Sequence, residues 1–89
     1  MKKFLCLAVI ALPLVLGASA PARAESCYDL WYARNLIYAE NGYCFKTARA
    51  INYFGNGGCA YHSEGAVPLS RSERSLIRGI RASERRQGC

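Results

Sequence analysis

Four cysteines, Cys27, Cys44, Cys59 and Cys89, fall within the last 65 residues of an 89-residue chain. A stretch this short can bury only one small core, which by itself supplies about 3–5 kcal/mol of stability. Covalent staples are therefore expected, and an even number of cysteines in a short exported chain reads as two disulfides. The count depends on a fifth cysteine, Cys6, leaving with a leader. Lys2 and Lys3 precede an apolar run from Phe4 to Leu16, interrupted by Pro13. Small residues follow in Gly17-Ala18-Ser19-Ala20 and Pro21-Ala22-Arg23-Ala24. This is the pattern of a secretory signal peptide, and the run is too short to anchor in a membrane. Cleavage is expected after Ala24, with Ala20 as second choice. Residues 1–24 are then the signal and 25–89 a single domain, with no transmembrane anchor in the mature chain. Cys6 lies inside the apolar run and Cys27 lacks a lipobox, so no lipoprotein is expected. The expected destination is the periplasm or the medium.

The mature stretch reads as three helices. Ser26 with Asp29 resembles a capping box and opens a first helix over about Cys27 to Glu40. Its apolar residues cover most of its circumference, which places it centrally between two partners. Asn41-Gly42 ends it. Thr47 caps a second, shorter helix, Ala48 to Phe54, stopped by Gly55-Asn56-Gly57-Gly58. Cys59 to Pro68 is a loop. Ser70 and Glu73 form a capping box for a third helix that stops at Gly88. The fold class expected is a small all-α, three-helix domain held by disulfides.

A straight first helix puts Cys27 and Glu40 about 20 Å apart, which disfavours a Cys27–Cys44 bond. If the second helix runs antiparallel to the first, it returns Cys59 towards Cys27. A third helix antiparallel to the second then carries Cys89 to Cys44. The pairing expected is Cys27–Cys59 and Cys44–Cys89.

Charge is local rather than global. Lys2, Lys3 and Arg23 leave with the signal, so nine of the twelve basic residues stay against six acidic ones, a net charge of +3. On the third helix Arg71, Arg74, Arg78, Arg81 and Arg85 fall within about 80° of one another, opposite Leu76, Ile77 and Ile80. These arginines have few acidic partners at i±4. Such a face suits an anionic polymer or headgroup, since guanidinium makes bidentate contacts to phosphate and carboxylate. Its commonest use, though, is to keep a small domain in solution. Nucleic acid is a poor target for an exported chain, and an anionic envelope component a better one.

The series Arg34-Asn35-x-Ile37-Tyr38-Ala39-x-x-Gly42-Tyr43-x-Phe45-Lys46, followed by Tyr53-Phe54, resembles the YARHG domain. This is an extracellular bacterial module named for its central five residues. The resemblance covers about Leu30 to Phe54 and leaves the cysteine frame and the arginine helix outside the motif. Tyr38-Ala39-Glu40-Asn41-Gly42 departs from the name, with Glu and Asn where the family has Arg and His. The resemblance implies location and fold more than function, because the family carries no established activity. Had the usual histidine been catalytic, this chain has lost it.

Candidate chemistry is sparse. Arg34 lies mid-face among Leu30, Ile37 and Tyr38. A buried guanidinium needs acceptors, so a structural clamp on backbone carbonyls or on a carboxylate such as Glu64 or Glu73 is expected. Asn35, Tyr38, Gly42 and Phe45 read as structural members of the same motif. Cysteine separations of 17, 15 and 30 residues, with His62 alone beside them, do not form a zinc site. His62 is the one available imidazole base, the serines lack an elbow context, and Asp29 and Glu40 stand about 16 Å apart on their helix. No enzyme and no cofactor are expected. Tyr28, Tyr32 or Tyr61 are the rings expected to be exposed for stacking on sugar or peptide. The function expected is an exported, non-enzymatic envelope or extracellular binding module that contacts an anionic partner through its basic third helix. The alternative is a small disulfide-stapled inhibitor of an extracytoplasmic enzyme.

Overall fold

In the computed structural model, which describes residues 25–89, three helices follow one another: α1 (Cys27–Glu40), α2 (Ala48–Phe54) and α3 (Arg71–Arg86). The expected signal peptide, its cleavage site and Cys6 lie outside the described residues. Each helix starts where the sequence supplies a hydroxyl. The Ser26, Thr47 and Ser70 side chains accept from the backbone N–H groups of Asp29, Ala50 and Glu73. At Ser70 the box is complete, because Glu73 accepts the Ser70 N–H at 2.8 Å.

α1 is the shared partner. It packs along α3 as an antiparallel pair and against α2 through the rings near its N-terminus. The core gathers Tyr38, Phe45, Ala50, Val67 and Ile77, with Trp31, Ile37, Tyr43, Phe54 and Leu69 packed around it. The loop after α2 folds back on the turn after α1. Gly42 adopts φ +87°, a backbone conformation in which a side chain is strained, and the Tyr61 ring lies 3.3 Å from where its Cβ would be. The Gly42 carbonyl accepts from Ala60 and Tyr61, and the Cys44 N–H donates to Tyr61 at 2.7 Å. An isolated parallel bridge, Tyr43 with Tyr61, and a 3-10 turn at Glu64–Ala66 are the regular features of the expected loop.

The disulfides are Cys27–Cys89 and Cys44–Cys59, which corrects the expected pairing. α2 does run back along α1, bringing Tyr53 and Phe54 to Trp31. Tyr53 even reaches Tyr28, the neighbour of Cys27, so it is the chain after α2 that departs from the expected path. Asn56 then reverses the excursion. Its side-chain amide donates to the Phe45 carbonyl, and its carbonyl oxygen accepts the Phe45 N–H at 2.7 Å. Cys59 lands on Cys44, and α3, packed directly on α1, brings Cys89 to Cys27.

α3 also faces inward along a different line from that of its apolar residues alone. Glu73, Ile77 and Glu84, at i, i+4 and i+11, look towards α1, while Leu76 is 58 % exposed. The polar members earn this placement by bonding α1. Glu84 takes both guanidinium arms of Arg34, and Glu73 accepts from the Asn41 amide at 3.1 Å. Two donors, the Ser70 backbone N–H first and Asn41 second, hold the Glu73 carboxyl below its ordinary pKa. A carboxyl depressed by folding adds stability above its unfolded pKa, and that stability is lost as pH falls through the folded value. Glu73→Gln is therefore expected to lower Tm at neutral pH. The difference from the parent should narrow as pH falls below the ordinary carboxylate range and the parent carboxyl takes up its proton as well. Thermal melts across pH check this, and a gap that stayed constant into acid would contradict it.

Candidate functional site

The described residues offer two surfaces that carry more than packing. The first is a groove of about 560 Å³ between the N-terminal half of α3 and the loop that leads into it. Tyr38, Val67 and Ile77 form a buried apolar floor with half-buried Leu69 beside them. Arg74, Arg78 and Arg81 form the rim, with Glu64 opposite. The helix period sets this rim, since positions i, i+4 and i+7 share one side.

The five arginines of the stripe do not act alike. Arg74, Arg78 and Arg81 come together at the groove. Arg71 stands outside it, and Arg85 lies towards the far end with Arg34, Arg81, Glu84 and Cys89. Arg81 is not free, because its guanidinium bonds Glu64 at 3.0 Å. The partner comes from the loop, so a search at i±4 on the helix misses it. Both side chains are well exposed, and a pair of this kind contributes at most about 1 kcal/mol. Arg71, Arg74, Arg78 and Arg85 have no carboxylate partner among the described residues.

Beneath the rim lies an unmatched polar group. Tyr38 is only 6 % exposed, lines the groove, and its hydroxyl makes no hydrogen bond among the described residues. A buried phenol without a partner is uncommon. Next to it, Tyr43 has its phenol pKa pushed up, mainly by burial and then by the Glu64 carboxylate and Tyr38.

The second surface is aromatic. Tyr28, Trp31, Tyr32, Tyr53 and Phe54 form a continuous array with centroids 5.4–6.4 Å apart. The Arg49 guanidinium lies 3.8 Å over the Trp31 ring, a cation–π contact that covers one face of the indole. Of the rings expected to be exposed, Tyr28 is, at 42 %, whereas Tyr32 and Tyr61 are half-buried. Tyr53, at 52 %, is the most exposed ring and was not among those expected. The Tyr28 and Tyr53 hydroxyls bond each other, which raises the pKa of the Tyr28 phenol.

The motif between Arg34 and Phe45 sits under both surfaces and is largely occupied with itself. Arg34 reaches across to α3, where Nε and Nη2 each meet a Glu84 oxygen at 2.9 Å. Of the acceptors expected, backbone carbonyls or a carboxylate such as Glu64 or Glu73, none is the partner, which is the Glu84 carboxylate. Asn35 is buried and its amide donates to the Trp31 carbonyl at 2.9 Å. The Asn41 side chain bonds the Ile37 carbonyl and Glu73. Phe45 is buried and stacks on Phe54.

The sequence model of the YARHG domain matches residues 10–85. The chain belongs to the YARHG domain family. No curated protein and no solved structure matches it. The match is far longer than the stretch from Leu30 to Phe54. It takes in α2, the groove loop and α3 to its last turn, so the arginine helix lies within the YARHG domain rather than outside it. Residues 10–24 of the match precede the described residues. The YARHG domain is a domain of unknown function and not a known enzyme family. Two disulfides accord with an extracellular protein, and no helix among the described residues is long and apolar enough to cross a membrane.

Proposed function

We propose that this YARHG domain is an exported, non-enzymatic binding module, working in the periplasm or the medium, which holds an anionic group of an envelope or extracellular partner in the α3 groove. The observation that carries this reading is the asymmetry of the groove rim. Three guanidinium groups face one carboxylate, and Arg74 and Arg78 have no carboxylate partner among the described residues. A cationic rim over an apolar floor attracts an anion and excludes water on one side of it, which strengthens the contact. The Arg34–Glu84 pair and the Cys27–Cys89 bond fix the α3 backbone on α1, so little backbone order has to be gained on binding.

Protein recovered after export of the full chain is expected to bind peptidoglycan, anionic lipid vesicles or envelope extract in low salt and to release it in high salt. Co-sedimentation and pull-down measure this. Absence of salt-sensitive binding to all three, or capture of one stoichiometric enzyme independent of salt, would overturn the reading.

A further inference from the structure

The floor of the groove says more about the ligand than its charge does. Tyr38 is buried where Arg74 and Arg78 are exposed, and its hydroxyl makes no hydrogen bond among the described residues. A flat bilayer or a stiff polymer resting on the rim leaves it unsatisfied. A discrete group that enters the groove does not. Arg74 and Arg78 start about 6 Å apart along α3, one turn of helix, which suits one small anion shared between two guanidinium groups. Glu64 limits the charge. It is bonded to Arg81 through one oxygen, and its second oxygen has no donor among the described residues. A second negative charge there is repelled, whereas an N–H donor is welcomed. Between these poles lie the aliphatic side chains of Val67, Leu69 and Ile77, which accept an apolar branch and no polar one.

One carboxylate, one amide N–H a few ångströms away and one apolar side chain between them describe the last residue of a peptide. We propose that the groove recognises the free C-terminus of a peptide that ends in an apolar residue. Arg74 and Arg78 hold the carboxylate, the Tyr38 hydroxyl donates to it, Glu64 accepts the terminal amide N–H, and the side chain rests on Val67, Leu69 and Ile77. This rests on the anion-binding reading above and narrows it to one chemistry.

The test titrates ¹⁵N-labelled protein, recovered with its disulfides intact after export of the full chain, with N-acetyl tripeptides ending in valine, leucine or phenylalanine. Each is used as the free acid and as the C-terminal amide. Saturable amide shifts are expected along the loop before α3 and the first three turns of that helix. The amides should bind about tenfold more weakly, the size expected when a charge-assisted hydrogen bond is lost. Tyr38→Phe keeps the ring and its packing, and is expected to weaken the free acids about threefold or more with Tm unchanged. Should that variant unfold, Arg78→Gln at an exposed position replaces it, with a loss of about tenfold. Arg71→Gln, outside the groove, should bind as the parent does. Equal binding of acid and amide, full affinity in Tyr38→Phe, or shifts confined to other surfaces would overturn the proposal. If the tripeptides fail while phosphatidylglycerol vesicles bind and Arg74→Gln/Arg78→Gln abolishes it, the C-terminal reading falls and the anionic groove stands. If both probes fail, both readings fall.

Discussion

Removing the terminal staple by Cys27→Ser/Cys89→Ser is expected to destabilise the protein by about 4 kcal/mol, the loop-entropy value for a crosslink of this span. The two residues are 62 apart in sequence, against 15 for Cys44–Cys59, whose loss costs about 3 kcal/mol on the same basis. Either amount is comparable with what a core of this size supplies alone, so the Cys27–Cys89 variant should be largely unfolded at 37 °C. The two staples also do different jobs. Cys44–Cys59 fastens the loop after α2 to the turn after α1, where the Gly42 carbonyl and the Cys44 N–H already bind it. Cys27–Cys89 closes the N-terminus of α1 onto the C-terminus of α3. Urea unfolding of both double variants gives the order directly. A variant without Cys44–Cys59 that is the less stable of the two would contradict this assignment of labour.

The second large effect lies at the ion pair between α1 and α3. Arg34→Met is expected to cost about 3 kcal/mol, because it leaves the Glu84 carboxylate mostly buried, at 14 % exposure, with no counter-charge. Lysine should not rescue it, since the two parallel 2.9 Å bonds need the planar fork of a guanidinium. Adding Glu84→Leu to Arg34→Met should restore most of the loss, because the cost comes from the stranded charge rather than from the missing attraction. A double-mutant cycle by urea unfolding measures the coupling. Coupling near zero would mean that Arg34 and Glu84 are solvated independently, and the clamp would be no part of what fixes α3.

Local signals in this chain were readable, and long-range ones only in kind. Ser26, Thr47 and Ser70 cap their helices as hydroxyls before apolar runs do, and Asn41-Gly42 and the Gly55–Gly58 series end theirs. These depend on the nearest three or four residues. The disulfide pairing depends on where the chain goes after α2, and the expected topology let it run on towards Cys27 where the structure turns it back to Cys44. Asn56, whose paired bonds to Phe45 fold the chain back, looks in the sequence like one more polar residue in a glycine turn. Arg34 was legible as a clamp because a guanidinium on an apolar face needs acceptors, whether backbone carbonyls or a carboxylate. Which carboxylate follows from the rotation of α3, and that rotation is set by Glu73 and Glu84 as much as by Ile77. The arginine stripe was legible as a stripe. Its division into a rim at Arg74, Arg78 and Arg81 and two outliers required the loop that brings Val67, Leu69 and Glu64 beside it. The unbonded Tyr38 hydroxyl leaves no trace in sequence at all.

The proposed anion site is a place on α3 and not the net charge of the domain. Two double variants remove the same charge from the same helix: Arg74→Gln/Arg78→Gln at the groove, and Arg71→Gln/Arg85→Gln outside it. Each is compared with the parent for retention on anionic envelope extract in low salt, after melts confirm equal folding. The groove pair is expected to lose binding, and the outer pair to keep nearly all of it. Equal losses from the two pairs would show that only diffuse charge is at work, and the groove would have no part in recognition.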